Sequence, residues 1–110
     1  MIKIVIKRNE NGNISEFDIK GHASSAKAGE DIVCAAVSVL SQTTLLGLYE
    51  ILKIELDHQR EKGDIYCRIP DNLPQSKRED ANILLETMVL GLKSLVIGYP
   101  KYIELHDKEV

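Results

Sequence analysis

Residues 1–20 read MIKIVIKRNENGNISEFDIK. Ile2, Ile4 and Ile6 alternate with Lys3, Val5 and Lys7, the period of two of a strand that lays one face on a core. The stretch NENGN at 9–13 supplies Asn and Gly, residues that tolerate the positive φ of a tight turn. Phe17 and Ile19 then resume the alternation, so the segment predicts two antiparallel strands joined by a short turn. A fold that starts with a hairpin needs something to cover its apolar face.

The cover comes from two later segments. Residues 21–30, GHASSAKAGE, are small and polar and show no hydrophobic period, which predicts an irregular loop. From Asp31 onward Val33, Val37, Leu40, Leu45, Leu48 and Leu52 recur at helical spacing, predicting a helix over about 31–53. Asp31 reads as its N-cap, which puts Cys34 in the first turn. Residues 54–60 and 65–69 alternate around Lys62-Gly63-Asp64 and predict a second hairpin that Pro70 closes. Ser76 with Glu79 matches a capping box, and Ala81, Leu84, Leu85, Met88, Leu92, Leu95 and Val96 form an apolar stripe that stops before Gly98 and Pro100. Residues 102–106 make a last short strand. The order is β-β-α-β-β-α-β, an α+β architecture of two layers: a mainly antiparallel five-stranded sheet and two long helices. Leu46, Val89 and Ile97 lie off the tidiest stripes, which predicts helix surface buried by a second copy in a homodimer.

Composition narrows the function. The 110 residues form a single domain, 1–110, and 44% apolar with 28% charged residues is globular usage. A net charge of -3 with no basic stripe argues against direct nucleic-acid binding, which needs clustered Lys and Arg. The start MIKIVIKRNE lacks the apolar stretch of a signal peptide, and two cysteines make no disulfide scaffold, so a cytoplasmic location is expected. No run is read as approaching the roughly 18 to 20 apolar residues of a membrane span. The three His and two Cys match no zinc template, so no metal site is expected.

What remains is a pairing of His22, in the loop after a strand, with Cys34 at a helix start, twelve positions on. A helix N-terminus carries partial positive charge and unpaired amides, which stabilise a thiolate and can hydrogen-bond an oxyanion. With His22 as base, Cys34 can attack a carbonyl carbon. The alternative is that Cys34, followed by Ala35, Ala36 and Val37, is simply a core residue. Asp31 can orient His22 or only cap the helix. Ser38, one turn beyond Cys34 on the same face, can donate to the thiolate or merely allow close packing. Cys67, between Ile65 and Ile69, reads as a core thiol, and His58 and His106 as solvated strand residues.

Gly21-His22-Ala23, then Gly29 shortly before Asp31-Ile32-Val33-Cys34-Ala35-Ala36-Val37-Ser38, resembles the signature of the ribosomal-processing cysteine protease family, Prp. Chain length, element order and the long helix after the motif are similar too. The resemblance implies an endopeptidase that removes the N-terminal extension of a large-subunit ribosomal protein, cutting after an aromatic pair. It further implies Cys34 as nucleophile, His22 as general base and acid, Gly21 and Gly29 at the ends of the active-site loop, a homodimer, and no metal or organic cofactor. Two other readings stay open: a noncatalytic dimeric module that binds a ribosomal protein or assembly factor, and an RNA-binding accessory protein, against which the missing basic patch and single Phe weigh.

Overall fold

The computed structural model describes residues 1–21, 28–61 and 64–109. In chain order it has β1 (Ile2–Arg8), β2 (Ile14–Lys20), α1 (Ala28–Leu46), a π-helical turn (Gly47–Ile51), β3 (Asp57–Glu61), β4 (Asp64–Arg68), α2 (Gln75–Gly98) and β5 (Ile103–Glu109). The expected element order and two-layer architecture are both present. The five strands form one sheet in the order β3-β4-β2-β1-β5. All neighbours are antiparallel except β1 and β5, which run parallel.

The first hairpin closes through its own asparagines. Gly12 takes a φ of 81°, its N–H donates to the Asn9 carbonyl at 2.9 Å, and the Asn13 carbonyl accepts from the Asn9 N–H at 2.9 Å. The Asn9 side-chain oxygen accepts from the amides of Asn11 and Asn13. This turn sets the register in which Ile4 faces Ile19 and Ile6 faces Phe17. The row continues across the sheet, with Phe17 opposite Cys67 and Ile19 opposite Ile65. A slip by one residue would turn every one of these apolar side chains to water. The register is therefore held by burial as well as by the turn.

Both helices lie on that apolar face. Val33, Val37, Leu45 and Leu48 of the first helical segment and Ala81, Leu85, Met88, Val89 and Leu92 of α2 join the strand residues in one buried cluster. The two helices meet where glycine removes a side chain: a Cβ at Gly91 would stand 3.2 Å from Leu40 Cδ1, and one at Gly47 would stand 3.1 Å from Leu84 Cδ1. Arg8 ties the layers together at one end, its guanidinium donating to both oxygens of Glu86 on α2 and both of Asp107 on β5.

Several expectations need correction. The helix expected over 31–53 begins at Ala28 and changes to π-helical hydrogen bonding at Gly47. Asp31 is thus inside the first turn and not the N-cap. Ser76 caps nothing: Pro74 precedes α2, no side chain caps the helix, and Glu79 instead accepts from Gln75. Residues 54–56 are outside β3, and the Ile54 N–H donates to the Leu48 carbonyl at 3.0 Å. Lys62 and Gly63 of the expected turn lie outside the described residues. Val89 is buried within its own chain, whereas Leu46 and Ile97 are exposed as expected. Asp31–Ile51 and Gln75–Gly98 are long and apolar enough to cross a membrane, with mean hydropathies of 1.7 and 1.5, contrary to the expectation that nothing approaches such a length. In this fold one side of each helix packs on the sheet, while Ile32, Val39, Leu46, Ile83, Leu90 and Ile97 stay exposed.

Candidate active site

β2 ends at Lys20, and the next residue redirects the chain. Gly21 has a φ of 90° and stands so close to Met1 that a Cβ there would collide with the Met1 carbonyl oxygen. Only glycine fits both conditions without strain. The Gly21 N–H donates to Asp64 Oδ1 at 3.3 Å, linking this corner to the start of β4. His22 follows immediately in sequence but lies outside the described residues, as does most of the expected 21–30 loop. Gly29 does not end that loop: it belongs to the first turn of α1.

Cys34 is the seventh residue of α1, in its second turn rather than its first. The turn before it carries the amides that lack intrahelical partners. Cys34 is half-buried and packs against the core cluster. Asp31, exposed, and Ser38, half-buried, are three and four positions away, a spacing that puts all three on one helix face. The structure therefore brings Asp31, Cys34 and Ser38 together on α1.

Cys67 is a different kind of thiol. It is fully buried in the sheet beneath the helices. Burial, with help from the Asp57 carboxylate, pushes its pKa up to about 12. A thiolate is the reactive form, so this sulfur is chemically silent near neutral pH. His58 and His106 are exposed on β3 and β5; His106 Nε2 lies 3.8 Å from Glu104 Oε1. Of the tyrosines, Tyr49 and Tyr99 are exposed, while Tyr102 packs against the core. Two residues that shape the corner at Gly21, Met1 and Asp64, carry no sequence signal of their own. Asp64 is 43 positions from Gly21, and only the folded sheet brings them together.

The first long helix thus carries one half-buried thiol, and the second thiol is sealed in the core beneath it. The chain belongs to the family described as Cysteine protease Prp, whose sequence model matches residues 1–104. It is a cysteine protease. The ribosomal processing cysteine protease Prp of Bacillus subtilis (strain 168) is 30% identical over 101 residues, 90% of each chain. The crystal structure of an essential ribosomal processing protease Prp from S. aureus in complex with a substrate peptide superposes with a TM-score of 0.87 at 24% identity, covering 98% of this chain and 100% of that one, a likeness of fold. The same S. aureus protease in complex with a covalently linked product peptide gives a TM-score of 0.83 at 25% identity, covering 98% and 100%.

Proposed function

We propose that Cys34 is the nucleophile of this protease and that its substrate is the N-terminal extension of a large-subunit ribosomal protein. One observation carries the assignment: a cysteine protease with two cysteines has one of them, Cys67, buried with its pKa pushed up to about 12, which leaves Cys34. The half-buried position of Cys34 near the start of α1 supports the role, because helix N-termini favour a thiolate.

In the proposed reaction His22 takes the Cys34 proton and the thiolate attacks the scissile carbonyl carbon. The oxyanion so formed is stabilised by amides at the helix start. The tetrahedral intermediate collapses as His22 returns its proton to the departing amine, leaving a thioester. A water that gives its proton to His22 then hydrolyses the thioester and restores the thiol. Ser38 and Asp31 share the face of Cys34 and are assigned supporting roles, Ser38 as a donor to the sulfur and Asp31 in orienting His22. Gly21 is assigned the aim of the histidine, because its backbone geometry excludes every other residue.

Ribosomal processing is the activity in the names of the relatives. A net charge of -3 agrees with a basic partner, since opposite charge speeds encounter. Such a substrate places the enzyme in the cytoplasm. The homodimer is supported by the outer face of the helical layer. There Ile32, Val39 and Leu46 are exposed at intervals of seven along α1, and Ile83, Leu90 and Ile97 repeat the interval along α2. Seven-residue apolar spacing makes a straight seam for packing against other helices. Incubating the protein with a peptide carrying an extended ribosomal-protein N-terminus, read by mass, tests the activity; two fragments are expected, and an intact peptide would contradict the reading.

A further inference from the structure

The outermost strand, β3, is apolar-poor on the face where the sheet meets the helices. Cross-strand pairing puts His58 opposite Cys67 and Arg60 opposite Ile65, so these two residues occupy positions that point to the core side of the sheet. Both are nevertheless exposed. The result is an open groove of about 320 Å³ between α1 and β3. Leu45, Leu46, Tyr49 and Leu56 form its apolar walls. Arg60 donates to Gln42 Oε1 at 2.9 Å across it, and His58 stands beside them.

The position of this groove relative to Cys34 gives it meaning. Leu40 and Gly47 mark the side of the first helical segment that faces α2. Steps of three and four residues from Cys34 lead through Ser38, Gln42, Leu45 and Tyr49, a single ridge on the opposite flank. The groove is therefore the continuation of the nucleophile's own helix face. At 1.5 Å per residue, Gln42 to Tyr49 lie about 12 to 22 Å along the axis from Cys34. An extended peptide advances about 3.3 Å per residue, so that span corresponds to about four to seven residues of substrate. β3 is also the sheet's edge, paired only with β4 among the described residues, and leaves one side of its backbone open to an added extended chain.

We infer that this groove is a remote substrate subsite, which takes one apolar side chain of an extended peptide about four to seven residues from the bond cleaved at Cys34. The inference rests on the reading of Cys34 as nucleophile only for that distance. Tyr49 and Leu56 supply the apolar contact, while Gln42, His58 and Arg60 hydrogen-bond the peptide backbone passing over the rim. Binding at such a distance lets the enzyme use substrate contacts remote from the reacting atoms to hold the scissile bond in place.

The test uses Cys34→Ala protein, which holds peptide without turnover, and fluorescein-labelled serine-rich peptides in which an aromatic pair is followed by further serines, so that the bond after the pair can be cut. A single leucine is walked through the positions three to seven residues from the scissile bond, and affinity is read by anisotropy. Leucine at one or two adjacent positions is expected to tighten binding at least about 10-fold over serine, the scale of burying one such side chain. Adding Tyr49→Ser, at an exposed site that should not disturb folding, is expected to remove most of that preference and to leave the all-serine peptide unaffected. No preferred position, or a preference that survives Tyr49→Ser, overturns the inference. So does a Tyr49→Ser protein that loses its dimer by light scattering while keeping the preference, since the groove would then belong to a second copy. Cleavage of the same peptides by the unaltered protein is scored separately: a leucine preference without cleavage keeps the subsite and removes Cys34 as nucleophile.

Discussion

Gly21 lies so close to the carbonyl oxygen of Met1 that no side chain fits at the residue that precedes His22 in sequence. Met1 thereby constrains the residue next to His22 in the chain. Gly21→Ala must move either Met1 or the loop, and it adopts a backbone conformation that costs a non-glycine residue about 1–3 kcal/mol. The expected outcome is a folded but less stable protein with kcat/KM lowered by at least about tenfold, since small misplacements of catalytic groups are costly. Thermal unfolding with peptide kinetics checks it; wild-type kinetics would show that the corner does not aim the histidine.

Arg8 is the other joint, between β1, α2 and β5, and it acts on stability alone. Its hydrogen bonds hold the Asp107 carboxyl below the usual carboxylate range, helped by Lys93. A carboxyl depressed in the folded state adds stability above its unfolded pKa near 4, and that stability is lost as pH falls through the lower folded value. Acid unfolding followed by circular dichroism should therefore show Arg8→Met destabilised by about 1–2 kcal/mol at pH 7, a range set by charged hydrogen bonds discounted for partial exposure. The difference should shrink below pH 4. An equal gap at pH 7 and pH 3 would contradict the assignment.

Cys67 gives the opposite sign at the other end of the scale. An unfolded thiol ionises near 8.5, whereas the folded one is pushed up to about 12. Between those values the unfolded chain binds fewer protons, so stability falls as pH rises, by about 1.4 kcal/mol per pH unit from this group. Cys67→Ala removes the thiol, and with it that share of the alkaline slope, while retaining activity. Denaturant titrations from pH 8 to 11 check it, and parallel slopes for the two proteins would refute it.

The helical face offers a fourth test. Leu90 is 70% exposed at the centre of one seven-spaced row. Leu90→Glu should leave the fold intact and convert a dimer to a monomer in light scattering. A dimer that persists would move the interface elsewhere.

The sequence pattern was legible wherever burial and periodicity coincide. Ile2, Ile4 and Ile6 alternate because alternate residues of β1 point into the core, and all three are fully buried. The first turn of α1 was not legible, since Ala28, Gly29, Glu30 and Asp31 present no apolar residue from which a helical period can be seen. Ile54 looked like a strand residue because it is buried, but its burial comes from folding back on Leu48. The parallel pairing of β5 with β1 depends on where α2 delivers the chain, a tertiary matter that no local pattern encodes. At the site, Cys67 read as a core thiol from Ile65 and Ile69 and is buried, whereas the neighbours of Cys34, Ala35, Ala36 and Val37, left a core reading open. The groove was not legible, because His58 read as an ordinary solvated strand residue until the pairing with Cys67 showed which side of the sheet it occupies.

The central claim is the division of labour between the two thiols, and it is tested most directly by one paired measurement. Cys34→Ala and Cys67→Ala proteins are each incubated with the extended ribosomal-protein peptide, and the fragments are counted by mass. Cleavage should vanish with Cys34→Ala while that protein keeps its circular dichroism spectrum, and should persist with Cys67→Ala. Cleavage that survives the loss of Cys34, or disappears with Cys67 in a folded protein, would contradict the account.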